Sequence, residues 1–230
     1  MANKGFSAPV NYWGDIPGLT PKSSNDGKSS SVAEAPNEYG DTIAHDVYGE
    51  VIAPSTEYAV TGEIKNTTVL ITLGDVMTHG EKKIMPTTVA VNTQAGNPPT
   101  VSISGVEVEQ SATPKRKYEV KINLTPRSKA QDIVGAFDAS EKFTQLNTTI
   151  TVDPHVQTVA GVPVASDASH GRIEVQATMT DGDGTGAITA SKNGGFTVTA
   201  VPAETDPDAN YQTKAATATK FLIGAETAAS

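Results

Sequence analysis

The sequence predicts an all-β, mainly antiparallel protein of the sandwich or barrel type, with one short helix and an extended N-terminal arm. Only 37% of the 230 residues are hydrophobic and 5% are aromatic, whereas 30 are Thr, a composition typical of half-buried pleated strands. From about residue 43, short segments that alternate apolar and polar residues recur between turn residues. A chain of this length can form one β domain.

Two regions differ in composition. Residues 1–40 contain "GLTPKSSNDGKSSSVAEAPNEYGD", which is rich in Ser, Gly, Pro and Asn and predicts a flexible arm. Within it, "PVNYWGDIPGL" holds Tyr12 and the only tryptophan, Trp13. Aromatic anchors in a polar arm are typical of segments that order on a partner, although a tail without a role explains the same composition. Residues 41–230 are predicted to form a single sandwich-like assembly domain.

Strands are predicted wherever apolar residues alternate with Thr, Glu, Lys or Gln. The clearest segments are "NTTVLITLGD", "KYEVKINL", "RIEVQATMT" and "FTVTA". The late segment "NYQTKAATATKFLIG" contains good helix formers, but its alternation from Tyr211 to Phe221 and its many Thr residues favour a long strand. Turn residues predict hairpins around "NTQAGNPPT" and "TDGDGTG".

The segment "NPPTVSISGVEVEQ" alternates twice, out of phase. Val101 and Ile103 share one face of an extended chain, and the apolar set then resumes one position late, at Val106 and Val108. A slip of one residue at Gly105 predicts a β-bulge or sharp bend. The two halves of this strand are therefore expected to pack against different partners, either two sheets of one subunit or its own core and a neighbouring subunit.

One helix is predicted at about 128–137. "TPRSKAQDIVGAF" offers Ser128 as the N-cap and Gln131 three residues later, which together make a capping box. Ala130, Ile133 and Phe137 then fall on one side of the helix.

The sequence gives no support to catalysis, and no cofactor is expected. It contains no cysteine, and its four histidines lie far apart without metal-ligand spacing. Asp181, Asp183 and Thr185 imitate the first positions of a calcium loop, but Lys192 stands where such a loop requires a bidentate Glu. A hairpin tip rich in Asp and Gly explains these residues equally well.

The charge balance bears on possible partners. The formal charge is −9 and only three arginines are present, the reverse of the balance that phosphate contacts require. Negative charge suits a surface past which DNA moves without being held. Neither a Sec-type signal peptide nor a membrane-spanning apolar run is visible, so assembly in a cytoplasm without membrane contact is expected.

Three stretches carry a resemblance to known proteins: "PNEYGDTIAHDVYGEVIAPSTEYAVTGEIKNTTVLITLGDV", "MPTTVAVNTQAGNPPTVSISGVEVE" and "YQTKAATATKFL". Together they resemble virion structural proteins of tailed bacteriophages, in particular tail tube proteins. The resemblance implies a homo-oligomer of stacked hexameric rings around an acidic DNA channel, located in the virion and contacting other virion proteins. It further implies that a long hairpin stacks one ring on the next.

Under this interpretation, small, polar or acidic side chains line the channel, and Tyr12, Trp13 and Gly105 take part in assembly. The predicted channel residues are Thr87, Thr88, Asn92, Ser102, Ser104, Glu107 and Glu109. A capsid decoration protein and an immunoglobulin-like surface binding module remain as alternatives with the same composition.

Overall fold

The computed structural model describes residues 9–36, 42–60, 67–125, 129–138, 143–159, 162–181, 195–205 and 212–226. Every regular element within these ranges is a strand, in agreement with the predicted all-β class. The described residues include no helix that is long and apolar enough to span a bilayer.

The described residues form fourteen strands. Their bounds are β1 Leu19–Asn25, β2 Ser29–Pro36, β3 Thr42–Val51, β4 Ser55–Val60, β5 Thr67–Leu73, β6 Met77–His79, β7 Lys82–Gln94, β8 Asn97–Val108, β9 Arg116–Leu124, β10 Phe143–Val159, β11 Val162–Asp181, β12 Thr197–Thr205, β13 Gln212–Phe221 and β14 Ala225–Glu226. The long strand predicted for 211–221 is therefore confirmed as β13.

Most strands belong to one large sheet in the order β1-β4-β8-β7-β10-β11-β13-β12, with β6 beside β7. The pairings along this path are antiparallel. The turn "NTQAGNPPT" joins β7 to β8 as predicted, and Gly96 there has a φ of 90°. The second predicted hairpin tip, "TDGDGTG", lies almost entirely outside the described residues, which stop at Asp181 and resume at Gly195.

The core lies between this large sheet and a small sheet of β14, β9 and β5. Alternate residues of β5 and β9 are buried, including Leu73, Ile122 and Leu124. They join buried residues of the large sheet, such as Ile103 and Leu146, in one hydrophobic cluster. The period-two alternation read from the sequence is thus the pattern of two sheets that each bury one face.

A third unit is a ribbon formed by β2 and β3. These strands pair antiparallel with each other from Ser29↔Val51 to Pro36↔Thr42, and among the described strands they pair with no other. We refer to β2 and β3 together as the ribbon.

The N-terminal region differs from the expectation of an arm that reaches a neighbour. β1 pairs with β4 at one edge of the large sheet, and Tyr12 and Trp13 are only 6% and 4% exposed. The physical reason is that these aromatic side chains pack against the hydrophobic core of their own subunit. A boundary at residue 40 therefore does not separate an independent arm from the described domain.

The segment predicted to be helical contains no helix among its described residues. Residues 129–138 form bends and an isolated bridge, while Ser128 lies outside the described residues. The side chain of Gln131 binds the backbone of Thr125 through two hydrogen bonds of 2.7 and 2.9 Å, and the Asp132 carboxylate accepts from the backbone nitrogens of Val134 and Phe137. These side chains satisfy backbone groups that a helix would have paired, and Gly135 has a φ of 68°.

The change of face in β8 is present, but its geometry differs from the prediction. Gly105 stays buried on the face of Val101 and Ile103, and the next buried position is Val108. The extra residue lies on the partner strand: Pro86 pairs with Gly105 and Thr88 with Ser104, which leaves Thr87 as the bulge.

Beyond this point β8 exchanges partners. Ser104 is the last residue that pairs with β4. The backbone nitrogen of Gly105 donates to the Pro54 carbonyl at 3.0 Å, and Val108 then pairs with Ala165 of β11. The two halves of the strand do contact different partners, and both partners belong to the same subunit.

Candidate functional site: the polar face of the large sheet

The exposed side of the large sheet carries three rows of residues that face one another across successive strands. We call these rows the polar face. The first row is Ser23, Glu57, Ser102, Ala90, Thr149, Glu174, Thr219 and Thr197. The second is Thr20, Ala59, Thr100, Asn92, Asn147, Gln176, Thr217 and Thr199. The third is Asn25, Ser55, Ser104, Thr88, Thr151, Arg172 and Phe221.

None of these residues is buried. Hydroxyl and amide side chains dominate, and Thr is the commonest type. A Thr side chain combines a β-branched carbon, which suits a pleated strand, with a hydroxyl that water can solvate. The eight strands, about 4.8 Å apart, give a surface about 34 Å wide.

The polar face carries few charges, and each has a partner nearby. Glu57 forms an ion pair of 2.9 Å with Lys22 on the neighbouring strand, and Glu174 lies 3.8 Å from Arg172. The other residues in the three rows are uncharged. The net charge of −9 is therefore not concentrated on this surface.

Four of the predicted channel residues lie together on the polar face. Thr88 pairs directly with Ser104 across β7 and β8, and Asn92 and Ser102 occupy the same side of these two strands. The sequence singled them out as small polar residues in neighbouring segments. Strand pairing brings them onto one surface.

The other three predicted channel residues lie elsewhere. Thr87 is 8% exposed, because the bulge turns it away from the polar face. Glu107 accepts hydrogen bonds from Lys82, at 2.8 Å, and from the backbone nitrogen of Ile52. Glu109 accepts from Ser111 and from Gln157. Both carboxylates thus tie segments of the fold together.

Trp13 lies over the bend in β8. Its indole nitrogen donates to the Ile103 carbonyl at 3.1 Å. Next to it, the Tyr12 hydroxyl donates to the Asp26 carboxylate. Burial, together with the hydrogen bond to Asp26 and its negative charge, raises the pKa of Tyr12 to about 12.

The Tyr58 hydroxyl donates to the Asn11 side-chain oxygen at 2.8 Å, which ties β4 to the segment that precedes Tyr12. Burial raises the pKa of Tyr58 to about 12. The aromatic residues of this region therefore act as packing and hydrogen-bonding groups of the subunit itself.

The weak calcium candidate cannot be built from the described residues. Asp181 ends β11, and Asp183 and Thr185 lie outside the described ranges. Among the residues that are described, no group of three or more His, Asp or Glu side chains has the arrangement of a metal site.

No protein-family model matches the chain, and a comparison with curated proteins finds none that is similar to it.

Sequence reasoning missed the members of the polar face on β10, β11 and β13, such as Asn147, Gln176 and Thr217. Their signal is the polar half of each alternating segment. Alternation shows that a residue faces outward, but it does not show which strands are neighbours.

Proposed function

We propose that the protein is a self-assembling structural subunit of a bacteriophage tail tube, and that the polar face lines a channel through which DNA passes. The observation that carries this proposal is the polar face itself, a broad surface dominated by uncharged hydroxyl and amide groups, with every charge paired and one exposed aromatic ring, Phe221. The resemblance noted in the sequence supports the choice of a tail tube over other assemblies.

A surface of this kind suits DNA that must slide. Tight binding to duplex DNA depends on Lys and Arg side chains that neutralise phosphates. Arg172 is the only cation within the three rows, and it lies beside Glu174. The carboxylates are likewise paired, so this surface neither attracts nor strongly repels phosphate. We therefore propose a nearly neutral lining where these rows face the channel, instead of a uniformly acidic one.

The proposed channel lining is the middle of the large sheet, which β4 and β1 flank on one side and β13 and β12 on the other. The central strands β8, β7, β10 and β11 carry all four of the predicted channel residues that lie on the polar face. These strands are the proposed lining.

The ribbon is the proposed contact between subunits. A two-stranded hairpin is at best marginally stable alone in water, yet β2 and β3 pair over 8 and 10 residues without a third strand among those described. Contact with another copy would satisfy one edge of the ribbon.

Each edge strand of the large sheet contains a proline that hinders the pairing of a further strand. β1 contains Pro21 and β12 contains Pro202, and a proline offers no N–H to an added strand. Such prolines restrict pairing between the sheet edges of two copies. Copies must then join through another contact, for which we propose the ribbon.

Negative-stain electron microscopy of the purified full chain tests the proposal. We expect rings or stacked tubes with a central channel. Compact monomers or trimers without a channel, at concentrations up to the solubility limit, would reject the tube and favour a decoration protein. Monomers that bind a glycan array would favour a surface binding module.

A further inference from the structure

The hairpin of β10 and β11 contains a hydrogen-bonded group that no part of the proposed function uses. The Ser169 hydroxyl oxygen lies 2.7 Å from His155 Nε2 and 2.8 Å from His170 Nδ1. An Asp153 carboxylate oxygen lies 3.8 Å from the same His170 nitrogen. Ser169 is 6% exposed, whereas both histidines are exposed.

The backbone is irregular at the same place. Pairing between β10 and β11 shifts register between Thr151 and Asp153 and again between His155 and Val156. His170 has a φ of 51° and is the only non-glycine residue with a positive φ among the described residues. Such a conformation is unfavourable for a side chain with a Cβ and persists where surrounding contacts hold it.

This irregular segment is a joint between two parts of the hairpin. In the inner part, Gln145 to Thr151 of β10 pair with β7. In the outer part, β10 pairs only with β11 among the described strands, and Ala165 of β11 meets Val108 at the end of β8. Two valines of the outer part, Val156 and Val159, are 58% and 39% exposed.

We propose that the His155–Ser169–His170 group is a proton-sensitive joint that sets the position of the exposed outer part of β10. With neutral histidines, the Ser169 hydroxyl donates to one imidazole nitrogen and accepts from the N–H of the other. A first proton keeps this chain intact and converts one of its links into a charge-assisted hydrogen bond.

A second proton breaks the chain. Both imidazole nitrogens would then be donors, and the Ser169 hydroxyl proton would have no nitrogen acceptor. Two positive charges would also lie next to the same oxygen. Histidine is the side chain whose charge changes between pH 5 and 8, so acidification should release the outer part of β10 from its position at neutral pH.

The neighbouring charged groups modify this effect. Asp153 is the carboxylate beside His170. The Asp167 carboxylate accepts from the backbone nitrogens of Lys115, from the loop before β9, and Ala168. Arg172 lies 3.8 Å from Glu174. The single negative charge of Asp153 is smaller than the two positive charges of a doubly protonated histidine pair.

The two strands of the outer hairpin are attached unequally. On β11, Val164, Ala165 and Ala168 are buried, and the Glu109 backbone nitrogen donates to the Ala165 carbonyl at 2.9 Å. On β10, residues 155–159 are all exposed, and Gln157 donates to the Glu109 side chain. A change at His155 therefore acts on the exposed strand, which carries Val156 and Val159.

Distance measurement in the full-length chain tests the joint without requiring tube assembly. Because the sequence contains no cysteine, spin labels can be attached at Thr158→Cys on the outer hairpin and Lys121→Cys on β9. Double electron–electron resonance should give one distance distribution at pH 7.5 and a shifted or broadened distribution at pH 5.0. Equal distributions at the two pH values would overturn the proposal.

Three variants identify the groups responsible. H155Q/H170N should abolish the pH-dependent shift, because Gln and Asn stay neutral and Asn tolerates a positive φ. S169A should give the altered distribution already at pH 7.5. H79Q, which changes a histidine packed on Tyr12, should retain the shift. A shift that persists in H155Q/H170N, or that disappears in H79Q, would reject the assignment.

Discussion

The ring of Trp13 lies directly over Gly105, at the position where β8 exchanges one set of partners for another. A Cβ added to Gly105 would lie 2.5 Å from Trp13 Cη2 and closer still to the Met85 carbonyl oxygen. The glycine at which the sequence changes face is therefore also the residue against which the only tryptophan packs.

Substitution of Gly105 should destabilise the fold. G105A should lower the free energy of unfolding by about 1–3 kcal/mol, because the added methyl group would overlap the Met85 carbonyl and the Trp13 ring, and G105V should cost more. S102V, on the exposed side of the same strand, should change it by less than about 0.5 kcal/mol. Urea denaturation of the dilute subunit measures these differences. A stable G105V subunit that fails only to assemble would instead assign Gly105 to an interface between copies.

Removal of the Trp13 side chain tests whether the N-terminal segment belongs to its own subunit. W13A should lower the free energy of unfolding by about 3–5 kcal/mol, the usual cost of truncating a buried aromatic residue. V10A, at a position 40% exposed, serves as the control and should be nearly neutral. If W13A left the free energy of unfolding of the dilute subunit unchanged, Trp13 would instead be an anchor that packs on a neighbouring copy.

Deletion of the ribbon should separate folding from assembly. Ser30 pairs with Glu50, so replacement of residues 31–49 by Asn-Gly closes the chain with a two-residue turn. We expect a folded subunit that forms neither rings nor tubes, as judged by denaturation and by electron microscopy. A95N, which places Asn-Gly in the β7–β8 turn, should fold and assemble. Normal tubes without the ribbon would show that another segment joins the copies.

Lysines on the polar face should convert a surface that releases DNA into one that holds it. In assembled tubes, N92K/S102K should retain linear duplex DNA at low salt and lose it as salt rises, whereas N92Q/S102T should behave like the natural sequence. Retained DNA should also resist nuclease, since it lies inside the tube. DNA that binds the lysine variant but stays open to nuclease would place the polar face outside.

Alkaline pH should weaken the N-terminal packing. The pKa values of Tyr12 and Tyr58 are raised to about 12 in the folded chain, against about 10 for tyrosine in an unfolded chain. Their stabilising effect is therefore complete below pH 10 and is lost as the pH rises through 12. Y12F/Y58F should show a smaller loss of unfolding free energy between pH 9 and 12. Equal losses in both proteins would contradict the raised pKa values.

The sequence by itself determined the all-β class, the alternation of buried and exposed residues and the place where β8 changes face. These features depend on local rules, because a strand exposes every second residue and a glycine permits close approach. The helix expected at 128–137 failed for a reason outside those rules: Gln131 and Asp132 pair with the backbone around them and prevent the capping box from acting.

Only the tertiary structure decided which strands are neighbours. It placed Thr88 and Asn92 on one surface with Asn147 and Gln176, which lie more than 50 residues further along the chain. It also placed Trp13 on its own subunit. Both results follow from packing between segments that are distant in sequence. The free energy gained by burying an aromatic ring or by pairing two strands depends on both segments, so neither segment alone predicts it.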